Sequence, residues 1–135
     1  MAATLKLEIV TPEAKIYSED VDMVTLPGVE GEMGIFPMHV PLMTQLVAGE
    51  VGVRKGGQDY FLAVGDGFVE ITGERVSILT DMAIKAEDID KAKAEAARQR
   101  AEARLAEKLD DEEVASTSAA LAHSLAQLKV KRRQR

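Results

Sequence analysis

The chain has 135 residues, a formal net charge of −6, 46% hydrophobic residues and no cysteine, enough for one domain with a core or a small domain with an appendage. Without cysteine there are no disulfides or thiolate metal sites, which fits a reducing compartment, and the acidity argues against nucleic acid as the main partner. No apolar run approaches the ~18 residues that cross a bilayer, and Met1-Ala-Ala-Thr-Leu-Lys6 has no signal or transit character, so a cytoplasmic chain is expected.

The first elements are strands. Leu5, Leu7 and Ile9 alternate with Lys6 and Glu8, so one face is buried and the other wet. Short segments follow at Val21–Met23, Ile35–Phe36, Val51–Val53, Phe61–Ala63, Phe68–Ile71 and Val76–Ile78, separated by Gly49, Gly56-Gly57, Gly65-Asp66-Gly67 and Gly73. The spacing predicts a sandwich or flattened barrel of antiparallel strands over 1–85. Gly65-x-Gly67 could be read as a phosphate loop, but no helix pattern follows it, and an Asp-Gly hairpin is the better reading.

Within this region, residues 26–42 concentrate three of the four prolines and three of the ten glycines. Pro27-Gly28 suits the centre of a type II turn. Pro37 and Pro41 remove two amide donors and push Phe36 and Val40 toward extended backbone. The segment is expected to be a stiff, shaped loop around a short strand at Met33–Phe36.

Every glycine lies at or before Gly73, and from Ala83 onward Ala, Glu, Lys, Arg, Leu and Gln dominate. Residues 1–86 carry a net −7 and residues 87–135 a net +1, so the acid excess belongs to the strand-rich part. Two helices are expected at 86–109 and 113–130. The first has a row of Ala94, Ala97, Ala101, Leu105 and Leu109. The second has Val114, Ser118, Leu121, Leu125 and Leu128 beside Ala115, Ala119, Ala122 and Ala126. With Asp110-Asp111-Glu112-Glu113 between them, the pair reads as an antiparallel αα-hairpin spanning 86–135, an appendage whose alanine-rich stripe could let it detach. The fold class is thus α+β, an N-terminal antiparallel β-sandwich followed by a C-terminal two-helix hairpin.

The pattern Leu26-Pro27-Gly28-x-Glu30-Gly31-Glu32-x-Gly34-Ile35-x-Pro37-x-His39-x-Pro41-Leu42, in a glycine-punctuated β-domain followed by an alanine-rich hairpin, resembles the epsilon subunit of F-type ATP synthase, homologous to the mitochondrial delta subunit. The resemblance spans the whole chain in architecture and is sharp at 26–46, with further support at Phe61–Gly67 and Ile89-Asp90. It implies a non-catalytic rotor subunit, without cofactor or metal. Such a subunit couples ring rotation through gamma to ATP synthesis, and its hairpin can reach the alpha and beta subunits and resist ATP hydrolysis. The alternatives are a nucleotide-sensing regulatory module and an unrelated small interaction protein or enzyme.

The resemblance places Glu30 and Glu32 near the c-ring, and His39, Pro41 and Leu42 near gamma. It implies a peripheral chain on the cytoplasmic face of a bacterial inner membrane. His39 has no Ser, Cys or second His nearby in sequence, so an interface histidine is a better reading than a general base, and His123 reads as a surface residue. Some family members bind ATP through Ile-Asp-x-x-Arg-Ala at the start of the first helix. Here the matching residues are Ile89, Asp90 and Lys93, and replacing a planar fork by a point charge makes this at best a weak nucleotide site. The basic tail of Lys129, Lys131, Arg132, Arg133 and Arg135 would meet acidic segments of the catalytic head when extended, and mostly water when folded down.

Overall fold

A computed structural model describes residues 3–107 and 110–133, so Leu109 and Arg135, named above, lie outside the described residues. Ten strands come first: β1 (Leu5–Val10), β2 (Lys15–Val21), β3 (Met23–Gly28), β4 (Gly31–Ile35), β5 (Leu42–Leu46), β6 (Gly49–Lys55), β7 (Gln58–Val64), β8 (Gly67–Ile71), β9 (Arg75–Thr80) and β10 (Ala83–Lys85). A 3-10 turn at Ala86–Asp88 leads into α1 (Lys91–Leu105) and α2 (Asp111–Arg133).

The strands follow one hydrogen-bonded path, β10-β7-β6-β3-β5-β8-β9-β1-β2, with β4 paired to β3. The path folds over where β3 and β5 meet at the single pair Gly28 and Leu46. Leu7 and Ile9 of β1, Val24 and Leu26 of β3, Val51 and Val53 of β6, Leu62 and Val64 of β7 and Val69 and Ile71 of β8 then share one buried cluster. This is a β-sandwich. Nearly all pairings are antiparallel, and the exception is β1 beside β9, which run parallel with Leu7 opposite Val76.

Strand β7 shows why part of the sequence reads as continuous apolar residues. Leu62 and Val64 point into the sandwich, whereas Ala63 belongs to a second buried cluster with Ala86, Ile89, Ala126 and Val130, against which Phe61, Met82 and Ile84 pack. Side chains alternate across a strand, so one face of β7 holds the sandwich together and the other receives the hairpin.

Several local expectations change. Pro27-Gly28 is not a turn but the end of β3, where Pro27 pairs with Glu32, and the turn falls at Val29-Glu30, closed by Gly31 at φ 126°. Sequence favoured Pro27-Gly28 because Pro-Gly suits a type II turn; Gly31 supplies the positive φ instead. Gly65-x-Gly67 is not a hairpin, since β7 pairs with β6 and β10 while β8 pairs with β5 and β9. It carries the chain from one layer to the other. A tight two-residue hairpin falls instead at Gly56-Gly57, at φ 59° and 78°, between the paired Lys55 and Gln58.

The helices also shift. Residues 86–88 form a 3-10 turn, and α1 begins after Asp90, whose carboxylate accepts a hydrogen bond from the Lys93 backbone N–H at 3.1 Å. Helix α2 begins two residues earlier and ends three later than expected. Its buried residues are Thr117, Ser124, Ala126, Leu128 and Val130, while Val114, Ser118 and Leu125 are exposed. The α1 row stands, with Ala94 and Ala101 buried.

Candidate functional site

The segment after β4 forms the most exposed apolar surface of the β-domain. Phe36 is 59% exposed, Met38 84%, Val40 73% and Met43 68%, and Leu42 is exposed as well. The loop is nonetheless shaped. Met38 adopts φ 66°, its amide donates to the Gly73 carbonyl at 2.7 Å, and Pro37 and Pro41 restrict the backbone on either side. His39 Nδ1 lies 2.6 Å from the Val40 carbonyl oxygen, a local bond that orients the ring within the loop.

The surface continues onto the sheet. In register, Gln45 of β5 stands opposite Phe68 of β8, and Phe68 opposite Leu79 of β9. Both Phe68 and Leu79 are more than half exposed. A run of large apolar side chains held in water by a rigid frame marks a docking surface. Glu30 at the tip of the β3–β4 hairpin and Glu32 just after it in β4 are both exposed. Sequence reading singled out His39, Pro41 and Leu42 but missed Met38, Met43, Phe68 and Leu79, because exposure of an apolar residue in a strand has no local signature.

A second buried cluster lies under the hairpin. Ile89 is 4% exposed and Val130 0%, the other buried members are Ala63, Ala86 and Ala126, and Phe61, Met82 and Ile84 are partly buried against them. Polar contacts ring it. His123 Nε2 is 3.2 Å from the Asp81 carboxylate, Gln127 Nε2 lies 3.9 Å from Met82 Sδ, and Lys131 Nζ donates to the Ala86 carbonyl at 3.5 Å. Arg133 Nε donates to Glu50 Oε2 at 2.6 Å while its guanidinium sits 4.9 Å from the Phe61 ring centre. The basic tail is therefore not simply solvated in the folded-down state. Lys129, Arg132 and Arg133 are exposed, yet Arg133 bonds Glu50 of β6 and Lys131 the Ala86 carbonyl of the 3-10 turn.

The expected nucleotide residues have structural roles. Ile89 is packed in the hairpin interface, Asp90 is exposed and caps α1 through its carboxylate, and Lys93 is exposed. A cavity of about 590 Å³ lies elsewhere, between β2, β7 and the end of α2, lined by Tyr17, Glu19, Lys55, Tyr60, Lys85 and Arg133 among others. Several of its charged groups have partners. Lys55 pairs with Glu19, holding that carboxyl below its usual range chiefly through this hydrogen bond, and Lys85 Nζ lies 6.0 Å from the Tyr17 ring centre. Burial, with Glu19 nearby, pushes the Tyr17 phenol up to about 12. Among the described residues, no group of three or more His, Cys, Asp or Glu could hold a metal ion.

A β-sandwich with an exposed apolar rim and a clipped-on helical hairpin fits an assembly subunit. Residues 4–86 match the family model for the ATP synthase Delta/Epsilon chain β-sandwich domain, and residues 87–132 match that for the Delta/Epsilon chain long α-helix domain. The chain belongs to the ATP synthase Delta/Epsilon chain family. It is 47% identical over 134 residues to the ATP synthase epsilon chain of Dehalococcoides mccartyi, covering 98% of this chain and 96% of that one. With the epsilon chain of Desulforamulus reducens the identity is 43% over 129 residues, 96% and 98% of the two chains. A chain in the Euglena gracilis mitochondrial ATP synthase structure, OSCP/F1/c-ring, superposes with a TM-score of 0.78 at 27% identity, over 94% of this chain and 80% of that one. The unrelated-protein reading is thereby set aside.

Proposed function

We propose that this chain is an epsilon-type rotor subunit in the central stalk of a proton-translocating F-type ATP synthase, coupling c-ring rotation through gamma to ATP synthesis. The observation that carries this reading is the apolar rim at residues 36–43 on a stiff β-sandwich. Torque must pass through an element that does not bend, and a proline-restricted loop on a continuous sheet has few conformations to yield into. In this reading His39, Pro41 and Leu42 contact gamma, together with Met38, Val40 and Met43. Glu30 and Glu32 contact the polar loops of the c-ring. The chain then sits peripherally at the membrane through the complex, on the cytoplasmic face of a bacterial inner membrane.

Residues 1–85 serve in this reading as the docking domain and residues 86–135 as a mobile regulatory hairpin. The alanine-rich interface under α2 supports the second role, because a clip of that kind can open without disturbing the sandwich core. Extended, the hairpin would bring Lys129, Lys131, Arg132, Arg133 and Arg135 to acidic segments of the alpha and beta subunits and slow ATP hydrolysis. Ile89, Asp90 and Lys93 would offer nucleotide only weak binding.

The test is capture of gamma by the full-length chain carrying Val40→Glu and Met43→Glu. Both side chains are exposed, so folding is expected to survive while gamma binding is lost. Undiminished capture would remove the rim from the gamma interface.

A further inference from the structure

The chain has six methionines and no cysteine, so thioethers are all its sulfur. Among the described residues they fall into two sets. Met33 packs against the sandwich core, and Met82 packs against the cluster under the hairpin, where its sulfur lies 3.9 Å from Gln127 Nε2. Met23 is half-buried, and its Cε lies 3.1 Å from where a Cβ on Gly34 would stand. Met38 and Met43 are the opposite case, 84% and 68% exposed.

Fixed backbone presents these two side chains. Met38 has φ 66°, and no other non-glycine residue among the described residues has a positive φ. That backbone state disfavours a side chain, and it is held here by the bond from the Met38 amide to the Gly73 carbonyl at 2.7 Å. Met43 stands within β5, paired with Glu70 of β8. Both belong to the apolar rim that docks gamma in the proposed assembly.

We propose that Met38 and Met43 are a reversible oxidation site that decides whether the free chain can be assembled: peroxide converts the two rim thioethers to sulfoxides, and the rim then no longer docks. In this step a sulfur lone pair attacks one oxygen of hydrogen peroxide, an S–O bond forms and the O–O bond breaks. The transferred oxygen gives its proton to the departing hydroxide, which leaves as water. Sulfur is oxidised by two electrons and peroxide is reduced by two. A flexible apolar side chain has become a polar one, and burying it against an apolar partner without a donor is unfavourable. Methionine sulfoxide reductases return the thioether, so the block can be lifted. The target is the chain before assembly, because a partner seated on the rim covers both side chains. With no thiol in the sequence, no faster-reacting sulfur diverts the oxidant.

This role rests on the reading of the rim as the gamma contact, so capture of gamma is measured before and after oxidation. The full-length chain is treated with hydrogen peroxide, mapped by peptide mass spectrometry and offered to gamma. Met38 and Met43 should gain oxygen at least about fivefold faster than Met23, Met33 and Met82, and capture should fall at least about tenfold. A pair of reductases, one for each sulfoxide epimer, should restore it. The chain carrying Met38→Leu and Met43→Leu has no sulfur on the rim, and each chain is compared with its own untreated form. Peroxide should leave capture by this double variant at its starting level. Equal oxidation rates in the two sets of methionines would overturn the site. So would undiminished capture by the oxidised parent, or an equal loss in the double variant, which would put the damage at a half-buried methionine. If the untreated parent does not capture gamma, the rim reading itself fails and the switch falls with it.

Discussion

Substituting Val130→Asp tests whether the hairpin is energetically separate from the β-sandwich. Val130 is fully buried in the cluster of Ala63, Ala86, Ile89 and Ala126, and that cluster shares no residue with the sandwich core. Losing the valine forfeits about 1.5–3 kcal/mol of apolar burial. Keeping an aspartate docked would add several kcal/mol of desolvation. The docked hairpin has Ile89 and Val130 as its larger buried apolar contributors, with Phe61, Met82 and Ile84 partly buried against them, and rim pairs worth about 0.2–1 kcal/mol each, less the entropy of ordering them. The substitution therefore exceeds what holds the hairpin down, and undocking is the cheaper response. Trypsin should cleave α1 and α2 at least tenfold faster, a factor equivalent to ~1.4 kcal/mol. The urea midpoint followed through Tyr17, which belongs to the sandwich core, should stay within about 0.5 kcal/mol of the parent. A fall of more than about 1 kcal/mol in the Tyr17 transition would refute separability.

Other perturbations act at named points. Gly67→Ala puts a Cβ into the Leu79 carbonyl and against Thr80 Cα, backbone atoms of the paired strand, and should cost about 2–4 kcal/mol in urea unfolding; a cost under ~1 kcal/mol would show that β8 and β9 can part freely. Asp90→Ala removes the α1 cap and should lower helical circular dichroism with a loss of about 0.5–2 kcal/mol, so unchanged helicity would argue against the cap. Lys93→Arg, at an exposed position, should tighten ATP binding about tenfold by calorimetry, and equal affinities would remove Lys93 from any nucleotide site. Because the Tyr17 phenol is pushed up to about 12 from an ordinary ~10, the native state retains that proton longer than the unfolded chain. Stability is then fully present below pH ~10 and falls as pH rises toward ~12, a slope that Tyr17→Phe should flatten.

The outcome at particular residues shows what local sequence can carry. Leu5, Leu7 and Ile9 alternate cleanly because β1 has one wet face and one buried face, and the period is visible without knowing the partner strand. That β9 lies parallel beside β1 is not visible, since pairing is decided by the path of the whole sheet. Strand β2 was missed because it is an edge strand. Lys15, Ser18, Glu19 and Asp20 are exposed along it, leaving Tyr17 and Val21 as its buried residues, and charges on an edge are how sheets avoid unwanted pairing. In α2 the leucine row misplaced the buried side. Leu125 is exposed while His123, Ala126 and Val130 face the β-domain, because a histidine and small residues match a shallow surface better than a leucine does. The docking rim was legible as a shaped loop from its prolines and glycines, but its extension to Phe68 and Leu79 depends on cross-strand register.

The two clusters have different chemistry for a physical reason. The sandwich core is built of Leu, Ile and Val whose removal leaves cavities costing about 2–5 kcal/mol for leucine or isoleucine truncated to alanine, so it holds one geometry under load. The buried residues of the hairpin interface are mostly alanines, ringed by contacts from His123, Gln127, Lys131 and Arg133. Rim contacts of that kind exchange readily for water and depend on salt. The pairing of Arg133 with Glu50 also means that the folded-down state competes for a basic residue that an extended hairpin would present to an acidic partner. In the proposed extended state, release would exchange one carboxylate contact for another instead of stripping a charge of its partner. A small difference between the two proposed states would then let modest changes in the medium or in the partner shift the balance between them.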